Sequence, residues 1–296
     1  MKRKLCGVLC LILLAGVLYT VNQKYRADMP FDASAQTSAT DAAAGDGTAE
    51  HTPGAGTVSL SPASVISFCL ASDKEASAAL TGVWYDDDDL SVNAYNGTPF
   101  AQGTTEYFAD ALFIGNSRMR GFVLYAEIPD LNSVTYIGWL VGEFFTSPCI
   151  YMYGERMTGA EAVALCDFEK VYLNFGFNDL MFDDADAFVR DYRLIVDYIS
   201  EYRPDAVIFI NSILPVHPAA LAEYPYALQE RVDVYNEALR DMAIEEGCVF
   251  LDSQSVFLDE EGYMDLTLSW EGVHVHESGM RTLREYWLSH TVNRPL

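Results

Sequence analysis

A serine, a histidine and a carboxylate can together cleave an ester through an acyl-enzyme, and this chain offers all three in short, recognisable pieces. Ser117 lies in Gly115-Asn116-Ser117-Arg118, and Glu271 precedes His274 in Glu271-Gly272-Val273-His274. A serine hydroxyl is a weak nucleophile until a histidine takes its proton, and the histidine works best when a carboxylate fixes its tautomer and stabilises the imidazolium. The tetrahedral intermediate also needs fixed donors at its oxygen. The backbone N–H groups of Ser117 and Gly138 and the side-chain amide of Asn178, in Gly176-Phe177-Asn178-Asp179, are the candidates. Each such donor is worth about 3 kcal/mol in the transition state. Gly142 lies one turn or two strand steps beyond Gly138 and no motif separates the two; Gly138 is the preferred assignment. The chemistry requires no metal or organic cofactor. Asp86–Asp89 lacks the alternating ligand spacing of a calcium loop and reads as a solvated acidic turn.

These residues need elements that place them on one rim. Ala111–Gly115 is an apolar run ended by glycine, and Met119, Phe122, Val123 and Ala126 follow at helical spacing, which predicts a strand-to-helix turn with Ser117 at the helix N-terminus. The dipole and free N–H groups there favour developing negative charge. Further strands are predicted at Ser133–Ile137, Lys170–Phe175, Ala206–Asn211 and Cys248–Leu251. Helices are predicted at Gly159–Cys166, Ala185–Tyr202, Ala227–Glu246 and Ser278–Ser289. Strands alternating with helices imply a parallel sheet covered on both faces, an α/β fold of three α/β/α layers with mainly five parallel strands. In open sheets of this kind ligands bind beyond the carboxyl ends of the strands, where the motifs above fall. Two further residues belong to the same rim. Arg118 is a candidate for binding a substrate carboxylate or phosphate, with a salt bridge on the helix surface as the alternative, and His217, after the fourth strand, is a candidate pocket residue. Asp179 is expected to cap or brace the loop that holds Asn178, and His276 to point away from His274.

In order and context these four blocks resemble the SGNH hydrolases, also called GDSL esterases and lipases, over roughly Phe108 to Leu288. The resemblance implies a flavodoxin-like sandwich, with Ser117 as nucleophile, Gly138 and Asn178 as oxyanion partners and His274 as base. Two positions depart from the family pattern. Asn116 stands where an Asp is usual, which removes a negative charge beside the nucleophile. Glu271 stands where an Asp is usual, so its longer side chain must fold back to meet the imidazole.

The remaining sequence bounds location and substrate. Lys2-Arg3-Lys4 precedes an apolar run from Leu5 through Val21, so residues 1–26 read as a cytoplasmic start followed by an export signal, cleaved or kept as an anchor, with the anchor preferred. The basic residues before the run place the bulk of the chain outside the cytoplasm. Residues 27–62 are rich in Ala, Ser, Thr, Gly and Asp and read as a flexible linker. Residues 63–105 show no repeated pattern; they pack onto the sandwich, form a flap or continue the tether. The SGNH-like domain occupies 106–296. The net charge of −25 lies beyond residue 62, because the charges before it cancel. Such a field opposes nucleic acid, anionic lipid and polyanionic polymers. Contact with a membrane is therefore expected through the N-terminal segment only. Cys69, Cys149, Cys166 and Cys248 follow no disulfide or metal spacing and read mostly as buried thiols.

The reading that unites these features is an extracytoplasmic, membrane-anchored or secreted serine esterase. Its expected substrate is an O-acetyl or other short acyl group on a cell-wall or extracellular glycan, with a small soluble ester as the next choice. Two other functions fit the same residues: an O-acyltransferase working with a membrane acyltransferase partner, and a non-catalytic glycan-binding module.

Overall fold

Five short strands, four of them mainly apolar, form the frame on which the site stands. In the computed structural model these are β1 (Ala111–Gly115), β2 (Asn132–Thr135), β3 (Lys170–Asn174), β4 (Val207–Asn211) and β5 (Val249–Leu251). They make one sheet in the order β5-β4-β3-β1-β2, with every neighbouring pair parallel. Leu112 lies opposite Val171, and Phe113 opposite Tyr172. The structure describes residues 100–292 and three short strands before them, Trp84–Tyr85, Val92–Tyr95 and Thr98–Pro99, paired antiparallel. The apolar run Leu5–Val21, the linker 27–62, Cys69 and Asp86–Asp89 lie outside the described residues. Among the described residues no helix is long and apolar enough to cross a membrane.

Among the described residues five helices cover the sheet: α1 (Ser117–Tyr125), α2 (Gly159–Val163), α3 (Ala185–Tyr202), α4 (Gln229–Glu245) and α5 (Glu277–Ser289). Side chains alternate across the strands, so each face gathers its own core. Leu112, Ile114, Val171, Leu173, Ile208 and Ile210 pack with residues of α2, α3 and α4. Phe113, Tyr172, Phe209, Val249 and Leu251 pack with Met119 and Phe122 of α1 and Met280, Leu283 and Trp287 of α5. Burying each large apolar side chain contributes about 1.5–3 kcal/mol. The second face carries a ladder of rings. Phe113 stacks on Tyr172 at 5.1 Å, Tyr172 on Phe209 at 4.4 Å, and Trp287 lies over Tyr172 at 5.0 Å. This is the three-layer sandwich that the alternation of strands and helices implies.

The differences in detail have local causes. The second strand stops at Thr135 rather than Ile137, because Tyr136 and Ile137 leave the sheet and stand 41% and 63% exposed ahead of the left-handed turn at Gly138. The second helix ends at Val163 rather than Cys166, since the N–H groups of Leu165 and Cys166 turn to carbonyls three residues back. The last part of the segment 63–105 is tied to the sandwich: Ala101 pairs with Thr291, and the Gly103 N–H donates to the Leu288 carbonyl at 2.7 Å. Cys149, Cys166 and Cys248 are free and buried, and burial pushes their thiols up, Cys149 to about 11.

Candidate active site

After β2 the chain crosses to the other side of β1 to form β3, so the order of strands reverses at β1 and opens a crevice at their carboxyl ends. Ser117 stands at this crevice. Gly115 ends β1 under the carbonyl of Asn174, where any Cβ would lie 2.1 Å from that oxygen, so glycine alone permits the approach of β1 and β3. Asn116 then caps α1. Its Oδ1 accepts the Arg118 N–H at 3.0 Å and its carbonyl accepts the Arg120 N–H, which starts the helix with Ser117 as the first residue. The amide nitrogen of Asn116 is buried without a partner. Asn116 thus performs the local capping that an Asp would perform, without adding a buried charge.

Glu271 and His274 meet Ser117 from a loop with no regular helix or strand. Gly272 has φ +88°, a conformation that L side chains adopt at a cost, and the turn it makes brings Glu271 onto the imidazole three residues later. A Cβ at Gly272 would also lie 2.6 Å from the Cβ of His217. Glu271 Oε1 pairs with His274 Nδ1 and accepts the His274 N–H at 3.2 Å, so the longer side chain does fold back. His274 Nε2 lies 3.5 Å from Ser117 Oγ. Glu271 at Nδ1 favours the tautomer with its proton there, which leaves the Nε2 lone pair toward the serine. A separation of this kind is common before substrate tightens a catalytic hydrogen bond.

The oxyanion candidates sit on two turns joined to each other and to the residues before Ser117. The Tyr136 N–H donates to the Gly115 carbonyl, which ties the start of the Gly138 turn to the nucleophile corner. Asn178 Nδ2 donates to the Trp139 carbonyl at 3.2 Å, so the Asn178 turn and the Gly138 turn are joined directly, and the second amide hydrogen of Asn178 is left for another acceptor. Gly138 has φ +76°, is exposed, and has open space where a Cβ would stand; Gly142 is buried within the short turn Val141–Glu143. Asp179 braces this strip as expected, its Oδ1 accepting the Val141 N–H at 3.0 Å. Burial pushes the Asp179 carboxyl up to about 7, against the lowering effect of the N–H groups it accepts, and its Oδ2 has no partner.

Of the two residues offered for substrate contact, one is in the interior and the other stands on the rim with one ring nitrogen engaged. Arg118 is 2% exposed, and its guanidinium donates to the carbonyls of Val273, Leu214 and Pro215 at 3.2, 2.7 and 3.2 Å. It also lies 4.4 Å above the Phe177 ring. Burial pulls it down to about 9, with Glu271 opposing, and it stays protonated at neutral pH. His217 is on the rim, but its Nδ1 accepts the Ala219 N–H at 3.0 Å and caps the turn Pro218–Ala222. His276 bonds Ser278 through Nδ1 and lies beside the Trp270 ring. The residue that sequence reasoning missed is Tyr224, half-buried, whose ring centre is 6.2 Å from that of His274 and which contacts Phe177 and Tyr226. It lies outside any periodic segment, so no pattern marked it.

Comparison with known proteins agrees with this arrangement. Residues 149–282 match the model of the GDSL-like lipase/acylhydrolase family, a span that includes Asn178, Glu271 and His274 and begins after Ser117 and Gly138. No curated protein matches the chain. Among solved structures, one from Streptococcus pneumonia, provisionally described as a platelet activating factor, shares 18% identity at a TM-score of 0.50, covering 62% of this chain and 90% of its own. A GDSL-like lipase from Bacteroides thetaiotaomicron shares 16% at 0.47, covering 64% and 91%. Axe2, an acetylxylan esterase from Geobacillus stearothermophilus, shares 18% at 0.43, covering 60% and 93%. At 18% identity the first of these shows a likeness of fold alone, and the family match is confined to residues 149–282. Over residues 149–282 the chain matches the GDSL-like lipase/acylhydrolase family, and this match, with Ser117, Glu271 and His274 in line, supports a serine ester hydrolase of the SGNH type.

Proposed function

We propose that Ser117 is the nucleophile of an esterase that removes a short acyl group from an extracytoplasmic glycan. The observation that carries the reading is the line from Glu271 through His274 to Ser117, with Nε2 3.5 Å from Oγ. His274 takes the Ser117 proton as Oγ attacks the ester carbonyl, and the oxyanion forms toward the N–H of Ser117 at the start of α1, the Gly138 N–H and the free amide hydrogen of Asn178. The intermediate collapses, His274 returns the proton to the leaving hydroxyl, and an acyl-Ser117 ester remains. Water then repeats the cycle, with His274 as base, and releases the acid.

Three features support the finer part of the reading. The charge of −25 lies in the part of the chain beyond residue 62, which makes an anionic phospholipid surface or polyanion a poor partner and a neutral, acylated sugar an easy one. Tyr224 and Tyr226 offer aromatic surface beside His274, and sugar rings present the C–H faces that stack on such surface. The basic start and apolar run at residues 2–21 favour export and tethering.

The test is turnover of p-nitrophenyl acetate and covalent labelling by a fluorophosphonate, with wild type beside Ser117→Ala. Both signals are expected in wild type, and loss of labelling with at least about a 10³-fold fall in kcat in the variant. A folded wild type that shows neither signal would sink the reading. Release of acetate from acetylated glycans, compared with phospholipids, then tests the substrate class.

A further inference from the structure

One residue, itself the neighbour of Ser117, touches the neighbours of two other site residues. Arg118 follows Ser117, its guanidinium lies over the ring of Phe177, which precedes Asn178, and its Nε donates to the carbonyl of Val273, which precedes His274. Its two terminal nitrogens hold Leu214 and Pro215, the start of the segment that continues through His217 to the Gly272 carbonyl. We propose that Arg118 is a positioning residue, a buried cationic fork that fixes the separation and orientation of His274 and Asn178 relative to Ser117. The role rests on the esterase reading above.

The chemistry of the side chain supports this role over simple filling. Burying a charge is costly, and an apolar side chain of similar volume is often as stable or more so. Among the described residues no carboxylate pairs with the guanidinium; carbonyl oxygens and a ring face receive it. What a planar fork adds is direction: donors at Nε, Nη1 and Nη2 point along fixed lines, and three carbonyls from two segments are held at once. A lysine ammonium can follow only one or two of those lines. The charge also sits within electrostatic reach of Glu271, the residue that orients His274, and of Tyr224 and Tyr226.

The experiment uses the full-length chain as wild type, Arg118→Lys, Arg118→Met and Arg118→Ala, with folding followed by near-ultraviolet circular dichroism and thermal melting. Folded variants are expected to lose about 10²-fold in kcat on p-nitrophenyl acetate with KM changed less than about threefold, because misplacement of the reacting groups acts on the transition state. Millimolar guanidinium is expected to restore the Arg118→Ala variant at least about tenfold and saturably, while urea, of the same shape but neutral, does not. A folded variant with kcat within about twofold of wild type overturns the proposal, as does equal rescue by urea. So does failure of all three variants to fold, which would make Arg118 a folding residue alone. A wild type without turnover or labelling removes the esterase reading and this role with it; an active wild type with equally active variants removes this role only.

Discussion

Ser117 and His274 meet across the crevice, yet the chain delivers them by unlike means. Ser117 comes from residues contiguous in sequence: strand, Gly115, capping Asn116 and helix α1. His274 comes from a loop held by distant segments, the His217 N–H on the Gly272 carbonyl and Arg118 Nε on the Val273 carbonyl. The nucleophile corner is stiff because contiguous residues build it and the backbone of the adjacent strand presses on it at Gly115. The histidine loop is only as exact as the long-range bonds that end on it, and it is the half most open to adjustment.

Three substitutions break or sharpen this contrast, in falling order of effect on turnover. Gly115→Ala places a Cβ 2.1 Å from the Asn174 carbonyl, a backbone atom that no rotamer change can move aside. Stability is expected to fall by about 3–5 kcal/mol and turnover with it, so melting and activity fail together. Gly272→Ala strains a residue at φ +88° and presses on His217. The expected loss is about 1–3 kcal/mol of stability but about 10²-fold in kcat, measured on protein that still melts cooperatively. If it instead melted as poorly as Gly115→Ala, the contrast between the two halves would be lost. Asp179→Asn should change kcat least, less than about threefold, because an amide oxygen can still accept the Val141 N–H. Its effect is on pH. The folded carboxyl is raised from its usual 3.8 to about 7, so the fold holds a proton that the unfolded chain releases. Stability from this group is full below about pH 4 and declines as pH rises to about 7, by on the order of 4 kcal/mol. Urea melts at pH 4, 5.5 and 7.5 should show that slope in wild type and a flatter one in the variant.

The same contrast explains what could be read from the sequence. The strand Ala111–Gly115 and the helix Ala185–Tyr202 are bounded as their apolar patterns indicate, since burial on two faces or one writes itself into periodicity. The meeting of Ser117, Glu271 and His274 was legible through motif order and family resemblance, not through local propensity. Arg118 was not legible. It looks like a solvent-facing cation one residue past the nucleophile, and only segments 96 to 155 positions away turn it into an interior group. Tyr136 and Ile137 misled in the opposite sense: β-prone residues that continue the pattern of β2 are carried out of the sheet by the turn at Gly138.

The ladder of Phe113, Tyr172, Phe209 and Trp287 has a practical consequence. Rings locked face to face at 4.4–5.1 Å, with the indole N–H of Trp287 fixed to Ser253 at 2.9 Å, are asymmetric chromophores held still. They give the native domain an optical signature that vanishes when side-chain packing is lost, even where helices persist. Because the ladder lies on the face of the sheet that α1 and α5 cover, it reports on the frame rather than on the loops around His274. A silent enzyme with an unchanged signature is a broken site on an intact scaffold.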